Sequence, residues 1–157
     1  MASSSPTAAL APETADVVSA DVRSRIMKAV GQKHTQPEIA LKRLLQSLGL
    51  RYRLHNRGLP GSPDFANQKR RWAIFVNGCF WHGHKNCSKT KGGRAPRVPI
   101  GNREYWATKL LANRRRDARK CLELRRLGFK VLLVWECQLQ EPDLLAARLT
   151  RALPKSE

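Results

Sequence analysis

The chain has 157 residues, enough for one domain with a real core, and a formal net charge of +18 from thirty Lys and Arg against twelve Asp and Glu. So large a surplus points to a polyanion, most often nucleic acid, with a generic basic protein of the ribosomal kind as the plainer reading. No apolar run approaches the roughly 20 residues of a membrane-spanning helix, and no lipidation motif, basic amphipathic helix or secretory leader is visible, so no membrane partner is expected.

Residues 1–20 are rich in Ala, Ser, Thr and Pro and read as a disordered tail; the ordered domain is expected over 21–153. A short helix is predicted at 22–30, on Ile26, Met27 and Val30. A second is predicted at 37–48, with Thr35 as cap, Pro37 in the first turn, Glu38 at the positive helix end and Gly49 as stop. Residues 50–54 alternate like a short strand. Pro60-Gly61-Ser62-Pro63 is a turn, because two prolines forbid a regular helix or central strand. Asp64-Phe65-Ala66 opens another strand, and Trp72 to Val76 is a continuous apolar run suited to a strand buried on both faces. Residues 88–102 read as a basic loop, 103–127 as a long helix ended by Gly128, 130–135 as a second buried strand and 142–153 as a last helix. The order is that of an α/β domain with a mixed sheet flanked by helices.

The most telling stretch is Asn77-Gly78-Cys79-Phe80-Trp81-His82-Gly83-His84-Lys85-Asn86-Cys87. Cys79, His84 and Cys87 have the gaps of three ligands to one tetrahedral ion, and Cys137, just past the 130–135 strand, offers a fourth. If the two apolar strands are parallel neighbours with the long helix as crossover, both loops emerge at the same sheet end and the four donors meet. Three thiolates and an imidazole would make a closed, structural zinc site. The alternatives are that Cys137 is merely buried and that His82 replaces His84, although spacing prefers His84. Cys121, within the long helix, reads as a small buried hydrophobe.

His82 is then free for chemistry. Asp64, placed at a strand start by a tight turn, is suited to holding a divalent ion in a phosphodiesterase; a turn Asp capping a backbone amide is the plain alternative. Trp106, Leu110, Asn113, Asp117, Cys121 and Leu124 share one face of the long helix, so Asp117 should point inward and need a partner. An internal salt bridge is the competing reading. Phe80, Trp81 and Trp106 flank basic stretches and could stack on bases or wedge between base pairs; core packing is the alternative.

Taken together, these residues resemble the very-short-patch repair (Vsr) DNA mismatch endonucleases over about 21–153. The resemblance rests on Pro37-Glu38, on Leu59 through Phe65, on Phe75 through Cys87, on Glu104-Tyr105-Trp106, on Asn113 with Arg116 to Arg119, and on Val134-Trp135-Glu136-Cys137. It implies a restriction-endonuclease-like fold with a structural Zn²⁺ on Cys79, His84, Cys87 and Cys137. It also implies nicking of one strand on the 5′ side of the thymine in T·G mismatches, which arise by deamination of 5-methylcytosine. By the same resemblance Asp64 holds a catalytic Mg²⁺ with the backbone carbonyl of Val76, and His82 is the catalytic imidazole. Glu38, Asn77 and Asp117 are supporting polar residues, and Phe80, Trp81 and Trp106 insert into DNA. Asn77 stands where the best-known members carry histidine; an amide keeps the hydrogen bonding of that position and loses its acid–base part. The usual restriction-fold Glu-x-Lys pair is absent, Val76-Asn77-Gly78 lying in its place, a gap that the family shares. The resemblance further implies a monomer in the bacterial cytoplasm, on the nucleoid, working with mismatch-repair proteins. A zinc-containing nucleic-acid-binding module without catalysis and a restriction-type nuclease cutting paired DNA are the competing functions.

Overall fold

The computed structural model describes residues 35–89 and 103–154. The predicted tail, the helix at 22–30 and most of the 88–102 loop lie outside them. The elements are α1 (Gln36–Ser47), β1 (Arg53–Leu54), β2 (Phe65–Asn67), β3 (Trp72–Asn77), α2 (Arg103–Arg126), β4 (Lys130–Trp135), a 3-10 helix (Glu136–Gln140) and α3 (Pro142–Ala152). The strands form one mixed sheet in the order β1-β2-β3-β4. The first three make an antiparallel meander, and β4 returns parallel to β3 after the α2 crossover.

The side-chain alternation of the central strands divides the core in two. Trp72 and Ile74 of β3 and Val134 of β4 face a cluster completed by Leu41 and Leu45 of α1 and by Leu145 and Leu149 of α3. Ala73 and Phe75, with Val131, face the other way onto Cys121 and Leu124 of α2. The result is three layers, helices on both faces of a sheet. Every residue of β3 except Val76 is buried, as the unbroken apolar run predicts. Cys121 packs as the expected small hydrophobe, and burial raises its thiol pKa above the ordinary value.

Three local expectations are corrected. Strand geometry spans Arg53–Leu54 alone, because Leu50 is drawn into the core beside α1. Thr35 makes no side-chain bond to the backbone of α1; its hydroxyl donates instead to Glu38 Oε1 at 3.0 Å, fixing that carboxylate over the first turn. A 3-10 helix follows β4, where the sequence shows no helical period. Gln138 Oε1 anchors it by accepting from the Trp135 amide at 3.1 Å and from Arg148 at 3.0 Å.

Candidate active site

The parallel pairing carries β3 and β4 to the same edge, where Asn77 sits opposite Trp135. The turn after β3 folds back through bonds from His82 N to Gly78 O at 3.2 Å and from His84 N to Cys79 O at 2.9 Å. Cys79, His84, Cys87 and Cys137 thereby converge, with donor atoms all within 4.8 Å of one another. His84 Nδ1 lies 3.4 Å from Cys137 Sγ, and its ring stacks on Trp135 with centroids 4.1 Å apart and planes 8° from parallel. His84, not His82, is therefore the imidazole of the cluster. The three thiols are buried. Burial, supported by hydrogen bonding from Cys87 and Cys137, pushes the Cys79 thiol up to about 12. At Cys137 burial acts the same way but is outweighed by bonds from Ser88, Cys79 and Cys87, so its pKa falls. Burial lowers the pKa of His84, which favours the neutral ring. Three sulfurs and a neutral imidazole at this spacing fit a tetrahedral zinc ion. Lys89 Nζ donates to Glu136 Oε1 at 2.7 Å and ties the loop to the end of β4; that bond lowers the Glu136 pKa.

His82 points away from this cluster. Its Nδ1 is 2.5 Å from Asp117 Oδ2, the partner that an inward carboxylate on α2 requires. Asn113, one turn earlier, donates from Nδ2 to the carbonyl of Trp81 at 2.9 Å and pins the loop to α2. A cleft of about 410 Å³ opens beside the pair, lined by Asn77, His82, Asp117 and the basic Lys85, Arg114 and Arg125. Arg114, Arg115, Arg116 and Arg119 are exposed along α2, ready to meet a phosphate backbone. Phe80, Trp81 and Trp106 form a triangular cluster with centroids 5.1, 5.2 and 5.9 Å apart. Trp106 is buried beneath it, while Phe80 and Trp81 are half-exposed. The loop aromatics thus have apolar company that the local sequence did not reveal.

Asp64 stands at the start of β2, its Oδ2 accepting the Val76 amide of β3 at 2.7 Å. Burial raises its pKa, with the Val76 bond opposing and the Glu38 charge adding to the rise. Glu38, His55 and Asp64 bring three donor atoms within 4.8 Å of one another. His55 is a residue that sequence reasoning missed. Its signal lies in the hairpin register: Leu54 pairs with Phe65, so the next position outward sets His55 opposite Asp64, and its amide donates to Asp64 O at 3.0 Å.

Lys120 of α2 is the second omission. Its ammonium is 3.8 Å from Asp117 Oδ1, and its charge is the smallest of the effects that oppose the rise at Asp64. The lysine stem passes over Gly61, where a Cβ would come within 2.5 Å of the Lys120 side chain. With φ at +72°, that turn position favours glycine on backbone grounds as well. The Pro60-Gly61-Ser62-Pro63 turn therefore seats Asp64 and admits Lys120 beside it.

The chain is 43% identical over 141 residues to the type II nicking enzyme V.XorIIP of Xanthomonas oryzae pv. oryzae, covering 90% of this chain and 98% of that one. It is 40% identical over 126 residues to the DNA mismatch endonuclease Vsr of Escherichia coli, covering 80% and 76%. The chain belongs to the Vsr family. A sequence profile described as DNA mismatch endonuclease Vsr matches residues 15–89. The type II nicking enzyme V.NmeAIP of Neisseria meningitidis is 35% identical over 136 residues, covering 87% and 92%. As a Vsr endonuclease the protein acts on DNA, in keeping with its charge. Among the described residues no helix is long and apolar enough to cross a membrane.

Proposed function

We propose that this Vsr endonuclease nicks one strand of duplex DNA on the 5′ side of the thymine in a T·G mismatch. The scissile phosphate would lie between the Asp64 carboxylate and the His82–Asp117 pair, in a restriction-endonuclease-like fold. The observation that carries this reading is the His82–Asp117 pair beside Lys120, whose ammonium lies 3.8 Å from Asp117 Oδ1 while its stem packs on Gly61 in the turn that seats Asp64.

Each residue then has a stated task. Asp117 accepts from His82 Nδ1, which orients the ring and leaves Nε2 as the basic nitrogen toward the attacking water. The proton taken from water rests on that nitrogen, and the resulting imidazolium is stabilised by Asp117. Asp64, held by the Val76 amide and joined by Glu38, has the oxygen donors that suit Mg²⁺. When bound there, Mg²⁺ supplies Lewis acidity toward the phosphate oxygens and the leaving 3′ oxygen. Asn77, buried at the end of β3, offers hydrogen bonding alone. Zinc on Cys79, His84, Cys87 and Cys137 would hold the loop that carries His82, Phe80 and Trp81.

Mismatch preference has a physical source. A mispaired step unstacks at lower cost than a paired one, so inserting Phe80 and Trp81 there is cheaper, with Trp106 as the floor on which they rest. Asp64→Ala tests the catalytic reading. Nicking of a T·G duplex should fall about 10³-fold or more while DNA binding stays within about threefold. Unchanged nicking would remove Asp64 from the mechanism and return the protein to a binding module.

A further inference from the structure

Three side chains meet at the foot of β2, and one of them is an imidazole. We propose that His55 is a third protein ligand at the Asp64 metal site, and that it tunes the site toward a transition-metal dication such as Mn²⁺ over Mg²⁺. The proposal rests on the reading of Asp64 as metal-bearing and adds to it the nitrogen donor and the class of ion.

The donors come from three separate elements: Glu38 from the first turn of α1, His55 from the residue after β1, and Asp64 from the residue before β2. His55 Nε2 is 4.0 Å from Glu38 Oε2, and all three donor atoms lie within 4.8 Å of one another. Ligand bonds of about 2.0–2.2 Å place donors on a common ion about 3–4 Å apart, so a small side-chain adjustment closes the set. The backbone fixes the ring. His55 N donates to Asp64 O at 3.0 Å and Asn56 N to Pro63 O at 3.2 Å, which locks residue 55 opposite residue 64. Asp64 Oδ2 accepts the Val76 amide, and a carboxylate retains its other oxygen for an ion. Glu38 is held by Thr35 at 3.0 Å.

The donor set decides the ion. Two carboxylates with water and phosphate oxygens suit Mg²⁺, which favours an all-oxygen octahedron. An imidazole nitrogen adds little for Mg²⁺ but strengthens binding of first-row transition ions, of which Mn²⁺ also accepts an oxygen-rich shell. Mg²⁺ remains a working ion in this scheme, and Mn²⁺ is the tighter one.

The test is Mn²⁺ and Mg²⁺ binding to the full, zinc-loaded protein, with no DNA or turnover required. His55→Asn suits the purpose, because residue 55 has φ of +45°, a region asparagine tolerates, and its shorter side chain cannot reach the ion. The substitution should weaken Mn²⁺ at least tenfold and Mg²⁺ less than threefold, with zinc content and melting temperature unchanged. Pulsed EPR of bound Mn²⁺ should show nitrogen modulation that persists in His82→Ala and disappears in His55→Asn. In the unmutated protein, ¹⁵N-labelled histidine should convert the modulation to the ¹⁵N pattern, which keeps the test independent of how the variant folds. Absence of nitrogen modulation in the unmutated protein, or Mn²⁺ affinity within twofold in His55→Asn, would overturn the proposal. Undiminished Mn²⁺ binding in Asp64→Asn would instead bring down the Asp64 metal reading itself, a separate outcome.

Discussion

Two donor clusters lie on this sheet, and they are built on opposite principles. Cys79, His84, Cys87 and Cys137 make a four-donor set with three buried sulfurs. A tetrahedral ion there has no position left for substrate, so the cluster suits structure and not turnover. Glu38, His55 and Asp64 supply three donors from α1 and the β1–β2 hairpin, Glu38 buried and the other two residues partly so. Three protein donors leave ligand positions for water and phosphate. The contrast teaches that a metal in the closed site would act at a distance, by shaping the loop that carries His82 and the aromatic pair, while the open site sits where the chemistry would occur.

The largest expected effect comes from breaking the closed site. Cys87→Ser should lose zinc and lower the melting temperature by about 10 °C or more, since structural zinc contributes folding free energy outright. Brief EDTA treatment of the unmutated protein makes the opposite cut. It should stop nicking at once, leave the far-ultraviolet circular dichroism unchanged, and be reversed by Mg²⁺. Loss of the fold on that timescale would show that the two sites are not divided in this way.

A smaller effect isolates the imidazole. His82→Ala should reduce nicking about 10²- to 10⁴-fold with zinc retained, the range of a positioned general base. Asp117→Asn should cost less, because the ring remains while its orientation and the stabilisation of its protonated form are lost. Unchanged nicking in Asp117→Asn would remove the carboxylate from the positioning of the ring.

Both sites were legible in the sequence to different depths, and chain geometry explains why. The four-donor cluster was legible because three of its members share one loop, and the fourth follows a strand whose parallel pairing with β3 the α2 crossover implies. Asp117 was found from the helical period of its face. His55 is hidden because its partnership depends on the hairpin register, and alternation starts the strand-like stretch at Leu50 while only Arg53–Leu54 pairs. Lys120 was hidden among the basic residues of α2; what singles it out is Gly61 on a different element. The apolar support under Phe80 and Trp81 comes from Trp106, distant in sequence, and so was invisible to local reading.

The smallest expected effect concerns the cost of keeping the open site ready. Burial holds the Asp64 carboxyl above its ordinary pKa. A raised folded-state value means that the folded protein binds this proton more tightly than the unfolded chain. The metal-free protein therefore loses stability as pH rises from the ordinary carboxylate value through the raised one. Asp64→Asn, whose amide oxygen can still accept the Val76 N–H, should melt a few degrees higher than the metal-free parent at pH 7. The difference should shrink as pH falls toward the ordinary carboxylate range. A lower melting temperature at pH 7 would mean that the Asp64 carboxylate stabilises the fold.

The most direct single measurement is strand-resolved nicking of paired duplexes identical in sequence except that one carries T·G where the other carries C·G. A lone cut immediately 5′ of the mismatched thymine, dependent on a divalent ion and absent from the matched duplex, is the predicted result. Equal cutting of both duplexes, or cleavage of both strands, would contradict the account and make the protein a nuclease of paired DNA.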